Sequence, residues 1–255
     1  MAIGSGDGER IDLRPTPLRL LAVTHGRPSS DNRAAVIRLV DGVASARPDL
    51  DVSIAFVDAA GRELAAALAS SAAEHRSVIV PLVLSAGFHV RTGLAQGIDR
   101  LAGDGARLAA GLGPDARIVD VLAGRVDALG LRERDSLVLA AAGSNDPRAV
   151  RECFETARLL GARLGRPVTV GFIAAAIPRL PDAIEMLRAV HPGHRILVAS
   201  YLLAPGTFYD QVAASGADLV AAPLLLPGEP AAAALVDLVL DRYDEASAAR
   251  RRTTA

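Results

Sequence analysis

Three residues in the first half of the chain carry groups that bind metals or take protons, and each stands just past an apolar run. His25 follows the run 18–24, Asp58 follows 52–57, and His89 closes Ser85-Ala86-Gly87-Phe88-His89 after 77–84. Two imidazoles and a carboxylate form a mixed nitrogen and oxygen set that suits a borderline divalent cation such as Co2+, Fe2+, Ni2+ or Zn2+. The same groups accept protons near neutral pH. Residue type and spacing leave both chemistries open.

Side chains this far apart in sequence meet only if the runs are neighbouring strands. Short continuous apolar runs alternate here with helical patterns, as expected of a parallel sheet covered by helices on both faces. After 18–24 a helix is expected over 31–46, with Val36, Ile37, Val40 and Val43 on its apolar stripe. Helices are also expected over 61–73 and 91–102, and a fourth run lies at 106–112. Pro114 then opens a helix toward Leu129. In an open parallel sheet ligands bind beyond the carboxyl ends of the strands. With strand order 2-1-3-4 and strands ~4.8 Å apart, His25, Asp58 and His89 converge on one sheet edge.

The pattern then repeats. Runs at 136–142, 168–173, 195–203 and 219–222 follow one another, with a last helix over 228–243. Gly26, Phe56 and Gly87 correspond to Gly143, Phe172 and Gly206, at offsets of 117, 116 and 119 residues. Such steady offsets indicate a duplicated α/β unit. The expected organisation is an N-terminal arm over 1–17, a first unit over 18–131 carrying the metal site, a second, degenerate unit over 135–247, and a tail over 248–255. Leu131-Arg132-Glu133-Arg134 reads as the linker. The copies differ where chemistry matters: Ala142, Ala174 and Phe208 stand in the second where His25, Asp58 and His89 stand in the first. A site kept in one copy and lost in the other explains that difference; core packing does not.

Composition removes several classes of function. All 28 basic residues are arginine, so a Walker-type phosphate loop and a pyridoxal-phosphate Schiff base both lack their lysine. One cysteine, Cys153, excludes internal disulfides, cysteine-rich zinc sites and cysteine-ligated iron–sulfur clusters, and fits a reducing, cytoplasmic setting. Net charge is −1 and aromatics are 3%, which gives no basis for nucleic-acid binding. The most apolar stretches, 77–88 and 217–227, fall short of the ~20 residues of a membrane span. The first 17 residues lack the apolar segment of a signal peptide.

The motifs Leu21-Ala22-Val23-Thr24-His25-Gly26, Ala55-Phe56-Val57-Asp58 and Pro81-Leu82-Val83-Leu84-Ser85-Ala86-Gly87-Phe88-His89 resemble the class II chelatases, specifically the sirohydrochlorin chelatases of siroheme and cobalamin synthesis. Ala141-Ala142-Gly143-Ser144 and Tyr201-Leu202-Leu203-Ala204-Pro205-Gly206 resemble the degenerate second halves of their long, fused members. The resemblance covers about residues 18 to 245. It implies two tandem flavodoxin-like half domains, each a four-stranded parallel sheet flanked by helices, with a cleft between them. It implies insertion of a divalent metal substrate (Co2+, Fe2+ or Ni2+) into a metal-free tetrapyrrole, without ATP or an organic cofactor. His25 and His89 then match the metal-binding, proton-accepting pair, and Asp58 stands where relatives commonly carry Glu. Fusion of the halves implies a monomer. The chain departs from relatives in reading Arg27-Pro28-Ser29-Ser30 after Gly26, where His-Gly-Ser-Arg is common, and Gly93-Leu94-Ala95 where Asp-Ile-Pro is common.

The carboxylates of such a macrocycle need partners, and helix N-termini beyond strand ends supply free N–H groups. Arg27, Ser29, Ser30, Ser85 and Arg91 in the first half, and Ser144 and Asn145 in the second, are the candidates. Ser144 and Asn145 also fit plain helix caps. His75 reads as a solvent-facing helix end, His191 and His194 as a polar turn, and Cys153 as buried packing. Two other readings stay open: a tetrapyrrole or metal carrier that has drifted out of catalysis, and an unrelated doubly wound protein whose three side chains diverge in space.

Overall fold

The computed structural model describes residues 18–25, 29–57, 77–85 and 106–248, and of His25 and Val57 only the backbone. Among the described residues, two four-stranded parallel sheets account for the strands. The first holds β1 (Arg19–His25), β2 (Val52–Val57), β3 (Ser77–Pro81) and β4 (Ala106–Leu108), in the order β2-β1-β3-β4. The second holds β5 (Ser136–Ala141), β6 (Val168–Phe172), β7 (Ile196–Tyr201) and β8 (Leu219–Val220), in the order β6-β5-β7-β8. The strand order expected from the sequence is therefore present twice.

Register confirms the duplication residue by residue. Thr24 pairs with Phe56 as Ala141 pairs with Phe172, and Val23 pairs with Pro81 as Ala140 pairs with Ser200. Bonds beyond the strands repeat too. Ala109 N–H donates to the Ile79 carbonyl, and Ala221 N–H to that of Val198, each at 2.8 Å.

The helices described are α1 (Ser30–Ala46), α2 (Ala116–Asp127), α3 (Pro147–Leu164), α4 (Leu180–Val190), α5 (Thr207–Ala213) and α6 (Ala233–Ala248). Each long one has an apolar stripe at helical spacing; that of α2 is Ile118, Val119, Leu122, Ala123 and Val126. The last helix starts and ends five residues later than the sequence suggested, because 228–232 remains in irregular chain. Asp115, not Pro114, caps α2.

Two helices pack against the sheet of the other half. Following β4, α2 leaves the first sheet and packs on α3 and β7. At the matching point after β8, α6 crosses back and packs on α1, β3 and β4. A single apolar cluster consequently runs through both halves, from Leu20, Ala22 and Val78 through Leu122 and Leu238 to Leu139 and Leu197. A second cluster, built on Val138, Val198, Ile184 and Leu187, lies between the other face of the second sheet and α4.

Candidate functional site

The site grows from the carboxyl edge of the first sheet. β1 is flanked by β2 and β3, and its last residue, His25, pairs in register with Val57, the residue before Asp58. Val23 pairs with Pro81, and Leu82 N–H then donates to the Val23 carbonyl at 2.7 Å, so the chain past β3 leaves along the same edge. Asp58, His89, Arg27 and Arg91 lie outside the described residues, as does His75.

The described candidates fall into distinct roles. Ser29 is the N-cap of α1, its hydroxyl accepting the Asn32 N–H at 3.2 Å. Ser30 is exposed beside Asp31. Ser85 is half-buried beside the Cys153 thiol of α3. Ser144 and Asn145 are not the cap of α3. That cap is Asp146, which accepts the Arg148 N–H at 2.8 Å, while Ser144 Oγ accepts the Asp146 N–H at 3.0 Å. An aspartate fixed at this N-terminus already supplies the negative charge that its N–H groups and dipole favour.

At the equivalent edge of the second sheet the chain closes on itself. Gly143 has φ +88° and passes so close to the Ala174 carbonyl that a Cβ there would collide with it. Phe172 N–H donates to the Pro178 carbonyl at 2.9 Å, and Arg179 Nη1 to that of Ile173 at 3.1 Å. The loop after β6 therefore folds back over its own strand end, and Phe208 stands 43% exposed in the first turn of α5.

Three contacts at this edge escaped the sequence reading. Asn32 Nδ2 donates to the Pro205 carbonyl at 2.7 Å, tying the first turn of α1 to the loop after β7. Tyr201 O–H donates to the Leu84 carbonyl at 2.8 Å, again from one half to the other. The Arg33 guanidinium lies 4.1 Å from the centre of the Phe56 ring, near the end of β2. Tyr201 carried a signal, since a tyrosine ending an apolar strand needs a partner for its hydroxyl. Nothing local marks Asn32 or Arg33. His191 and His194, by contrast, sit in the turn before β7 with stacked rings 5.0 Å apart, at the opposite edge of the sheet.

Two tandem four-stranded parallel sheets, each of order 2-1-3-4 and flanked by helices, are the architecture of a class II chelatase. The CbiX family model matches residues 19–129 and again 136–226, and the chain belongs to that family. Solved structures share the fold. SirB from Bacillus subtilis with Fe3+ superposes with a TM-score of 0.69 at 19% identity, over 91% of this chain and 98% of that one. CbiX, described as the terminal enzyme for biosynthesis of siroheme in denitrifying bacteria, gives 0.61 at 21% identity, over 88% and 98%. The sirohydrochlorin chelatase SirB from Bacillus subtilis subspecies spizizenii in complex with cobalt gives 0.59 at 15%, over 91% and 97%. No curated protein sequence matches the chain.

Proposed function

We propose that this protein is a sirohydrochlorin chelatase that inserts a divalent metal, Co2+ or Fe2+, into a metal-free tetrapyrrole without ATP. One observation carries this reading. His25 ends the strand between β2 and β3, so the residues that follow all three strands leave one sheet edge, while their repeat equivalents are Ala142, Ala174 and Phe208. In this reading His25, Asp58 and His89 receive the metal, and the apolar second-half edge forms the opposite wall.

Insertion exchanges two pyrrole N–H protons for one divalent cation. A neutral imidazole nitrogen binds a cation or takes a proton, never both at once. Two histidines on one edge divide these tasks, and the carboxylate of Asp58 offsets the cation's charge. The macrocycle's carboxylates fall to Arg27, Ser30, Ser85 and Arg91 of the first half, whereas Ser144 and Asn145 stand beside the Asp146 carboxylate and are unsuited to an anion. Arg33 joins them, because its guanidinium lies over Phe56 and has no ion pair among the described residues. Both walls come from one chain, so the active species is a monomer.

The deciding experiment is absorbance during anaerobic incubation of sirohydrochlorin with substoichiometric protein and Co2+, Fe2+ or Ni2+. Many turnovers above a protein-free control, reduced at least ~100-fold in His25→Ala, support the enzyme. A pigment shift that saturates at one equivalent with no acceleration would sink it and leave a carrier.

A further inference from the structure

The second half has lost the metal-competent residues of the first, yet it holds one of the first half's strand ends in place. Tyr201 closes β7, is 3% exposed, and donates its phenol O–H to the Leu84 carbonyl in a bond shut off from solvent. The register makes Leu82 its repeat equivalent, so here the polar group belongs to the second half alone. Leu84 lies in the turn after β3, and His89 follows five residues later in the sequence.

That turn is held residue by residue. Leu82 N–H is bonded to Val23, two residues before His25, and the Val83 carbonyl accepts the Leu112 N–H at 2.8 Å. Tyr201 takes the Leu84 carbonyl, and Ser85 meets Cys153. Gly113 lies against the Tyr201–Leu84 bond so closely that a Cβ would strike both partners.

We infer that Tyr201 is a positioning residue: its hydroxyl, acting from the opposite half, fixes the turn that leads from β3 to His89 and so sets how well the first half holds its metal. This inference rests on the chelatase reading.

The test pairs Tyr201→Phe with Tyr243→Phe. Tyr243, on α6, also donates across the halves, to the Leu18 carbonyl at the amino edge of the first sheet. Each substitution deletes one cross-half hydroxyl and keeps the ring. Co2+ affinity, read from ligand-field absorbance of protein plus metal alone, is measured beside Tm and insertion kinetics. Tyr201→Phe is expected to lose ~10-fold in Co2+ affinity and in kcat, with KM for the macrocycle unchanged, the scale seen when partners of metal ligands are removed. Tyr243→Phe is expected to lower Tm only. Equal Co2+ affinities in the two variants, or a change confined to KM, overturn the inference. Should Tyr201→Phe not fold, Gly113→Ala, which forces the same two groups apart, is read in the same way. His89→Ala separates the two levels. If wild type binds no Co2+ and His89→Ala changes nothing, the chelatase reading falls and the inference with it. If His89→Ala abolishes binding while Tyr201→Phe matches Tyr243→Phe, only the inference falls.

Discussion

Cys153 shows how far surroundings decide what a residue can do. It is 2% exposed on the inner face of α3, and burial pushes its thiol up to about 11 against the opposing effect of Ser85 beside it. The thiolate is the reactive form, so a neutral, covered thiol is inert. Native protein at pH 8 should leave a disulfide-exchange reagent uncoloured over an hour, and one equivalent should react in denaturant; rapid native reaction would contradict the burial. Arg33 makes the opposite case, an exposed cation oriented by a ring. Arg33→Gln should raise KM for a polycarboxylate macrocycle about threefold and leave kcat alone, the scale of a solvated ion pair. Single residues were legible in the sequence where their type is rare on an apolar strand end. His25 is such a case for its position, which the structure puts at the end of β1. Asp146 was not, because Ser144, Asn145 and Asp146 all cap helices well and only backbone geometry chooses among them. Asn32 was not, because its partner carbonyl is 173 residues away.

At the scale of elements, the strand order was legible because parallel strands joined by helices have few arrangements and the repeat landmarks fixed the register. The covering of α2 and α6 was not. Their apolar stripes say that one face is buried, but two sheets of the same pattern offer equivalent surfaces. What sets the exchange is visible only in contacts. Asp115 at the start of α2 pairs with Arg117 and Arg242, Arg117 also pairs with Asp241, and Arg242 Nε donates to the Gly111 carbonyl. Gly42 of α1 faces Val236 of α6, where a Cβ would sit 2.9 Å from Cγ2. Gly42→Leu should therefore wedge the two helices apart and cost about 1–3 kcal/mol, read as a lower Tm. Strand ends have their own tie. Arg195, just before β7, forms two hydrogen bonds with Asp135, just before β5, which also accepts the Arg132 N–H. The Arg195 hydrogen bonds hold the Asp135 carboxyl below its ordinary value of 3.8, outweighing its burial. A depressed folded value means that the contribution is complete above 3.8 and is lost as pH falls through the folded value. Stability measured by urea titration should fall below about pH 4, and less steeply in Asp135→Asn, which is already destabilised at neutral pH. Parallel slopes in the two proteins would remove Asp135 from the cause.

For the molecule as a whole, the exchanged helices determine what can fold alone. The sequence divides at 131–134, and a cut there would separate two units that look complete, each with four strands and its own terminal helix. In the folded chain the first sheet is covered by α6, which belongs to the second half of the sequence, and α2 lies on β7 and α3. Leu235, Val236, Leu238 and Val239 of α6 are buried, all in the cluster that spans both halves. Burying one such side chain is worth roughly 1.5–3 kcal/mol. Four of them are comparable to the whole net stability of a typical domain, about 5–15 kcal/mol. A fragment of residues 18–131 therefore lacks the cover that would make it stable, and it exposes the faces of α1, β3 and β4 that α6 occupies. The expected result is poor NMR dispersion and no cooperative melt for this fragment alone, and a native-like spectrum when it is mixed with a fragment of residues 132–248. The intact chain should melt in one transition, because neither sheet keeps its cover after the other has opened. A fragment 18–131 that gives a sharp, dispersed spectrum by itself would show that the exchange is dispensable, and the two halves would then be independent units joined by a cleft.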